Sequence, residues 1–506
     1  MIAISENNKR IVKNTLFLYV RMLLIMGVNL YTVRATLNLL GVVDYGIYNV
    51  VGGVVTLFSF ISGTLTTSSQ RYFSIELARN DIKALQKIFC LNVTMFVIII
   101  LGIIILAETI GLWFVNTQMT IPENRILAAN IVYQFSILAF GFQMFSIPYN
   151  ALIVAHEKMS AFAYIGIIEV ILKLVIVFIL TVTSVDKLIL YGILMSIVTL
   201  CITNVYYIYC RIHFIESRFH FYWNKTEVTE LMSFSGWHFL GTMAVVVRGQ
   251  GINLLINLFF NPAINAARAI AFQVDTAVGQ LSNNFFVAVK PQIYKLYSKG
   301  ELTELHNLVF RSTIMCFFLV SLLVFPVMSN TSFILHIWLK SIPDYCIVFT
   351  QLVLVNSLID STSGPTIAPA LATGRIKKYE LIVAFLIGLN LPVSYLLLKL
   401  GGEPELTVVV SIILSVITAF SRAFLLKNMI EMPVGKYFRL FTKLIIVSLI
   451  SFGILQYLFV DMIESWFKLI VMSFSSTLLL LFVYYFIIID SIDRERIIHF
   501  VKTKNQ

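Results

Sequence analysis

The 506-residue chain is 59% hydrophobic and only 12% charged, with a mean hydropathy of +0.89, which excludes an ordinary soluble domain and requires a polytopic membrane protein. Its formal charge of +11 would suggest nucleic acid in a soluble protein, but in a membrane chain Lys and Arg first report loop orientation, so no nucleic-acid partner is expected. The five cysteines lie in or beside apolar segments without metal-ligand or disulfide spacing, so no metal and no other cofactor is expected.

Windows of about 20 residues, enough to cross ~30 Å of hydrocarbon as helix, fall near 14–33, 44–66, 86–112, 126–152, 160–182, 187–210 and 231–258. Seven more follow near 263–289, 309–330, 345–371, 378–400, 404–427, 439–460 and 466–489. The expected fold class is therefore all-α and polytopic, with about fourteen transmembrane helices. The first window contains Arg21 and ends in Tyr31-Thr32-Val33-Arg34 without a small-residue cleavage pattern, so it reads as a retained span. The second and eighth windows are rich in Gly, Ser, Thr and Asn and carry the weakest hydropathy signal.

Charge placement fits this layout. With the N-terminus inside, the cytoplasmic segments hold 25 of the 37 Lys+Arg, the outside segments hold six (Arg34, Arg125, Lys187, Lys340, Lys399, Lys468), and six lie in or at the edges of spans. That asymmetry across short loops predicts both termini in the cytoplasm. No outside loop is long enough to hold a domain, and there is no P-loop, HExxH or paired-carboxylate motif, so no enzyme activity is expected.

An internal repeat divides the chain. SIPYNALIVAHEKM, beginning at Ser146, is matched 217 residues later by SGPTIAPALATGRI, aligning Ser146, Pro148, Ala151, Ala155 and Lys158 with Ser363, Pro365, Ala368, Ala372 and Arg375. At an offset of 219, Asn38-Leu39 matches Asn257-Leu258 and Arg71 matches Lys290. The expectation is an N-terminal six-helix lobe over 1–212, a second over 213–430 and an appended two-helix hairpin with a tail over 431–506. Pro148 and Pro365 are expected at matching positions at the cytoplasmic ends of helices four and ten, each interrupting the backbone hydrogen-bond ladder.

The polar content of the membrane is concentrated in the seventh and eighth windows. The seventh holds His238, Arg248, Gln250 and Asn253, and in the eighth a helical projection gathers Asn265, Arg268, Asp275, Ser282 and Asn283 on one face. A charge at the bilayer centre costs at least ~2.5–3.5 kcal/mol, so these groups call for polar partners or water, and the expectation is a cationic cavity. Arg248, Arg268, Asp275, Asn253, Asn283 and Arg21 are the substrate-binding candidates. Asp275, Asp360 and Glu169 are the candidates for coupling to H+ or Na+. Against these stand quieter readings: Arg21 snorkelling to the interface, Glu169 pairing with Lys173 at i,i+4, and Asp275 balancing Arg268 or Arg248.

The stretches LYTVRATLNLLGVVDYGIYNVVGGVVTLFSFISGTL (30–65), SSQRYFSIELARND (68–81) and PALATGRIKKYELIVAFLIGLNLPVS (369–394) resemble bacterial polysaccharide-biosynthesis flippases of the Wzx type, members of the multidrug/oligosaccharidyl-lipid/polysaccharide exporter superfamily. The resemblance implies two six-helix lobes, alternating access, and transfer of undecaprenyl-diphosphate-linked oligosaccharides across the bacterial inner membrane for O-antigen or capsule synthesis, alongside other polysaccharide-assembly proteins. It makes Arg248 and Arg268 candidates for meeting the diphosphate, since a guanidinium fork pairs bidentately with phosphate. The alternative is a cation-coupled multidrug exporter on the same scaffold.

Overall fold

A computed structural model describes residues 2–56, 59–117, 119, 121–260, 262–339, 342–488 and 494. Every regular element among them is a helix, as expected where lipid offers the backbone no hydrogen-bonding partners. Two compact units divide the chain, Met1–Phe239 and Leu240–Gln506.

The first unit contains α1 (Ile2–Thr56), α2 (Ser59–Arg79), α3 (Ile82–Leu106), α4 (Leu112–Thr117), α5 (Ile126–Ala155), α6 (Met159–Val182) and α7 (Lys187–His213). The next helix, α8 (Lys225–Phe259), begins in this unit and ends in the second. The polypeptide of α1 is two helices joined at Gly41, whose φ of 79° and ψ of 167° no helix contains. α5 lies at the centre, packed on α2, α3 and α7, while α6 covers α1. Gly192 of α7 allows the close approach to α5, because a Cβ there would stand 3.1 Å from a Val132 methyl and 3.4 Å from the Val132 Cα. One core cluster centres on Phe73, Phe89, Tyr149 and Leu152, and another on Phe96, Val132, Tyr133 and Met144.

The second unit continues with α9 (Pro262–Ser298), α10 (Leu302–Ser329), α11 (Thr331–Trp338), α12 (Cys346–Asp360), α13 (Ser363–Thr373), α14 (Lys377–Gly388), α15 (Asn390–Lys399) and α16 (Leu406–Ile430). It closes with α17 (Val434–Phe459) and α18 (Trp466–Val483), which pack against each other and against α10. α9 is the organising element, touching α10, α12 and α13. Its apolar side enters two cores, with Val278 beside Phe317 and Leu354, and Ala267 and Ala271 beside Phe349 and Val353.

Eleven helices among the described residues are long and apolar enough to cross a membrane, or twelve when α12 and α13 count as one bent span. The expected fourteen are not reached on that criterion. The two windows outside that count are the polar ones: the second includes residues 57–58, which lie outside the described residues, and the eighth is α9, a helix of 37 residues whose polar face lowers its hydropathy.

The two prolines behave differently from one another. Pro148 lies inside α5, which loses one backbone bond there but continues past it as one helix. At Pro365 the chain does break: α12 and α13 meet at 41°. The missing Pro365 N–H leaves the Ser361 carbonyl, four residues back, without its helical donor. Hydroxyls supply local bonds at this break, with Ser361 Oγ donating to Leu358 O at 2.7 Å and Thr362 Oγ1 to Ile359 O at 2.8 Å.

Candidate functional site

The second unit brings most of the expected residues together on α8, α9 and α12. Arg268 is 4% exposed. Its Nη1 donates to Asn253 Oδ1 on α8, and its guanidinium lies over the Phe272 ring at 4.3 Å, one turn along the same helix. Its Nε is buried and carries no hydrogen bond among the described residues. Asn253 is held in turn, its Nδ2 donating to Gln250 Oε1 at 3.3 Å. The Oδ1 of Asn265, one turn before Arg268, is also buried without a partner. One ring face and one amide therefore hold the fork in place while leaving it a donor to spare.

Arg248 is half-buried and close enough to both Arg268 and Asp275 to interact with each electrostatically. Asp275 does not pair with Arg268, seven residues away on the same face; among the described residues no ion pair joins them. Its carboxylate accepts from Ser357 Oγ on α12 instead. Asp360, one turn further along α12, accepts from Asn356 Nδ2 at 2.8 Å and lies near enough to Asp275 for repulsion. The buried Asn356 Oδ1 has no hydrogen bond. Arg248 thus stands between Arg268 on one side and Asp275, with its neighbour Asp360, on the other. Asn283 is exposed on α9 and joins none of these contacts among the described residues.

Arg21 and Glu169 belong to the first unit and form a cluster of their own. Arg21 lies over the Phe162 ring at 4.1 Å, and Gly166 makes room for it, since a Cβ there would collide with the guanidinium Nε. Tyr206 and Glu169 are within electrostatic reach of it, and Asn150 Nδ2 donates to Tyr206 Oη at 3.3 Å. Arg21 therefore packs on α6 rather than extending along its own helix. Glu169 accepts from Lys173 at 2.6 Å, the i,i+4 pair read from the sequence.

Two further polar clusters in the first unit lie at helix ends. Arg125 bridges Asp44 of α1 and Asp186, the N-cap of α7, with Nη1 at 2.5 Å from the latter. Although burial opposes the charged form of Asp186, the Ile189 N–H and Arg125 hold that carboxyl below its usual range. Elsewhere, His156 Nε2 lies 2.5 Å from Glu216 Oε1 and its ring stacks on Phe214 at 4.1 Å. Burial opposes the Glu216 charge, yet the His156 bond keeps the carboxyl below the usual range.

Ser357, Asn356 and Phe272 were not among the expected site residues. Phe272 sits at i+4 from Arg268, so its cation–π contact was open to a helical projection. Nothing in the local sequence marks Ser357, 82 residues from the carboxylate it binds.

A family profile described as "Polysaccharide biosynthesis protein" matches residues 11–332, well over half of the chain. The chain belongs to the polysaccharide biosynthesis protein family. No individually curated protein matches this family member. Its fold is that of the MATE transporters. It resembles an outward-facing MATE-family multidrug resistance transporter of the MOP superfamily (TM-score 0.71, 14% identity, 84% of this chain and 95% of that one). It also resembles the Vibrio cholerae MATE transporter VcmN in its bent form (TM-score 0.66, 15% identity, 85% and 98%). A third likeness is a MOP superfamily transporter from Pyrococcus furiosus, described as having a binding pocket of reversed polarity (TM-score 0.67, 11% identity, 82% and 95%).

Proposed function

We propose that this family member is a flippase that moves undecaprenyl-diphosphate-linked oligosaccharides across the bacterial inner membrane for surface polysaccharide assembly, with both termini in the cytoplasm. The family and the transporter fold support the general activity. The observation that carries the substrate class is Arg268: a buried guanidinium, braced by Asn253 and Phe272, with Nε unspent and Arg248 nearby. A lipid diphosphate brings the negative charge that two neighbouring cations lack, and it accepts from a planar fork. In surroundings of reduced dielectric that attraction exceeds its value in water. Asn253, Asn257, Gln273, Gln280 and Asn283 supply amides for sugar hydroxyls. Asp275, held by Ser357 and close to Asp360, is the group we assign to coupling with H+ or Na+.

The multidrug-exporter alternative would rest on carboxylates in the first unit, but Glu169, midway along α6, is engaged by Lys173. Complementation of a flippase-deficient strain separates the readings. Arg268→Ala should abolish surface-glycan export at normal protein level, and Arg268→Lys should restore it only in part, because it keeps the charge and loses the fork. Full export by an Arg248→Ala, Arg268→Ala double variant would overturn the diphosphate site.

A further inference from the structure

The linker between α7 and α8, residues 214–224, is too short and polar to span a membrane, yet it turns three aromatic rings outward. Phe219, Phe221 and Trp223 are 50%, 74% and 47% exposed. Between them Tyr222 is half-buried, and His220, though exposed, touches Cys90 of α3 through its ring at 3.4 Å. The His220 N–H donates to Cys90 Sγ at 3.3 Å, and Tyr222 lies 5.9 Å from Lys87 Nζ and donates to Glu227 at 2.9 Å. Gln86 Nε2 donates to the Arg218 carbonyl at 3.0 Å. Upstream, buried Phe214 and Glu216 anchor the segment through His156. The result is a fixed ledge with its aromatic row on the outer face.

The exposed cations beside this row are not ion-paired among the described residues. Lys83, Arg211 and Arg218 are exposed around it. The nearby carboxylates are engaged elsewhere: Asp81 caps α3 at the Ala84 N–H, Glu216 holds His156, and Glu227 accepts from Tyr222. The ledge stands at the ends of α7 and α8, both long and apolar enough to span a membrane. Aromatic rings together with cations at the end of a span match the interfacial zone, where rings enter the acyl boundary and Lys and Arg meet phosphates.

We propose that residues 218–223, held on the end of α3, form a binding ledge for anionic phospholipid headgroups of the membrane the chain spans. Phe219, Phe221 and Trp223 seat the ledge in the interface, and Lys83, Arg211 and Arg218 select negative headgroups. This site lies in the first unit and does not depend on what the second unit transports.

The test uses the full-length protein in detergent. Native mass spectrometry would compare phosphatidylglycerol with phosphatidylcholine at matched concentrations. Cations that meet lipid phosphate favour anionic headgroups, so wild type should favour phosphatidylglycerol several-fold and a Lys83→Gln, Arg211→Gln, Arg218→Gln variant should lose most of that preference. Unchanged preference in the variant overturns the proposal. A second measurement needs no charge substitution. In liposomes, the fluorescence difference between wild type and Trp223→Phe isolates Trp223, which should be quenched by lipid spin-labelled near the headgroup. Trp223 quenched by aqueous acrylamide and untouched by the lipid label would mean that the ledge faces water, as it would for a soluble partner, and would also overturn the proposal.

Discussion

At the scale of single residues, the polar groups within the helices are made tolerable by specific neighbours. Arg21 rests on Phe162 because Gly166 has no side chain. Replacing Gly166 with Val should displace the guanidinium and cost about 0.5–2 kcal/mol, the range of a partly desolvated cation–π contact, read as a lower thermal midpoint in detergent. Glu216 allows a prediction with pH. Its carboxyl titrates below its ordinary value of 4.5 in the folded protein. The stabilisation from its charge is therefore complete above that value and is lost as the pH falls below it through the folded pKa. Thermal midpoints measured from pH 7 to 3 should fall on the acid side. The Glu216→Gln variant should start lower by about 1.5–3 kcal/mol, the worth of a hydrogen bond to a charged group, and should lose part of that acid limb. Parallel curves for the two proteins would show that this pair does not set the acid response.

At the scale of elements, the helices bend where one residue forbids regularity. Gly41 takes φ 79° and ψ 167°, a region essentially reserved for glycine. Gly41→Ala should lower stability by about 1–3 kcal/mol. Gly27, inside the same helix with nothing within 4 Å of a built Cβ, is the control, and Gly27→Ala should be neutral or gain up to ~1 kcal/mol. Equal midpoints for the two variants would remove the special role of Gly41. The contrast between Pro148 and Pro365 shows that proline alone does not set a bend. Both lack a donor, but Pro148 lies in a helix packed on α2, α3 and α7, whereas Pro365 follows a run of Ser and Thr whose hydroxyls satisfy local carbonyls.

At the scale of the whole molecule, the fourteen-span layout remains a testable arrangement. Reporter fusions at Asp81, Ser217, Lys299 and Lys377 should show cytoplasmic activity, and fusions at Asn116, Ile342 and Glu403 should show the outside. The informative positions are those flanking the two polar windows. If Asn116 or Lys299 reports the opposite side, then the second or the eighth window does not cross, and every later loop inverts. The hydropathy criterion misses the eighth window because it averages over a helix circumference. A helix such as α9, with Val278 in one core and Arg268 and Asp275 on another side, scores as mediocre although it is as long as any span.

The sequence by itself determined the membrane class, the helical architecture and the family resemblance, because apolar length and charge placement are properties of consecutive residues. It also placed Arg268, Asp275 and Asn265 on one face, because helical periodicity is local, and it anticipated the Glu169–Lys173 pair at i,i+4. Only the tertiary structure decided which groups these residues meet. Asp275 bonds Ser357, Arg268 bonds Asn253, Arg21 turns onto α6, and Arg125 joins Asp44 to Asp186. Each of these contacts joins separate helices, so it depends on the rotation and depth at which two helices pack. Those are set by side chains along the whole interface, of which the polar residue itself is a small part.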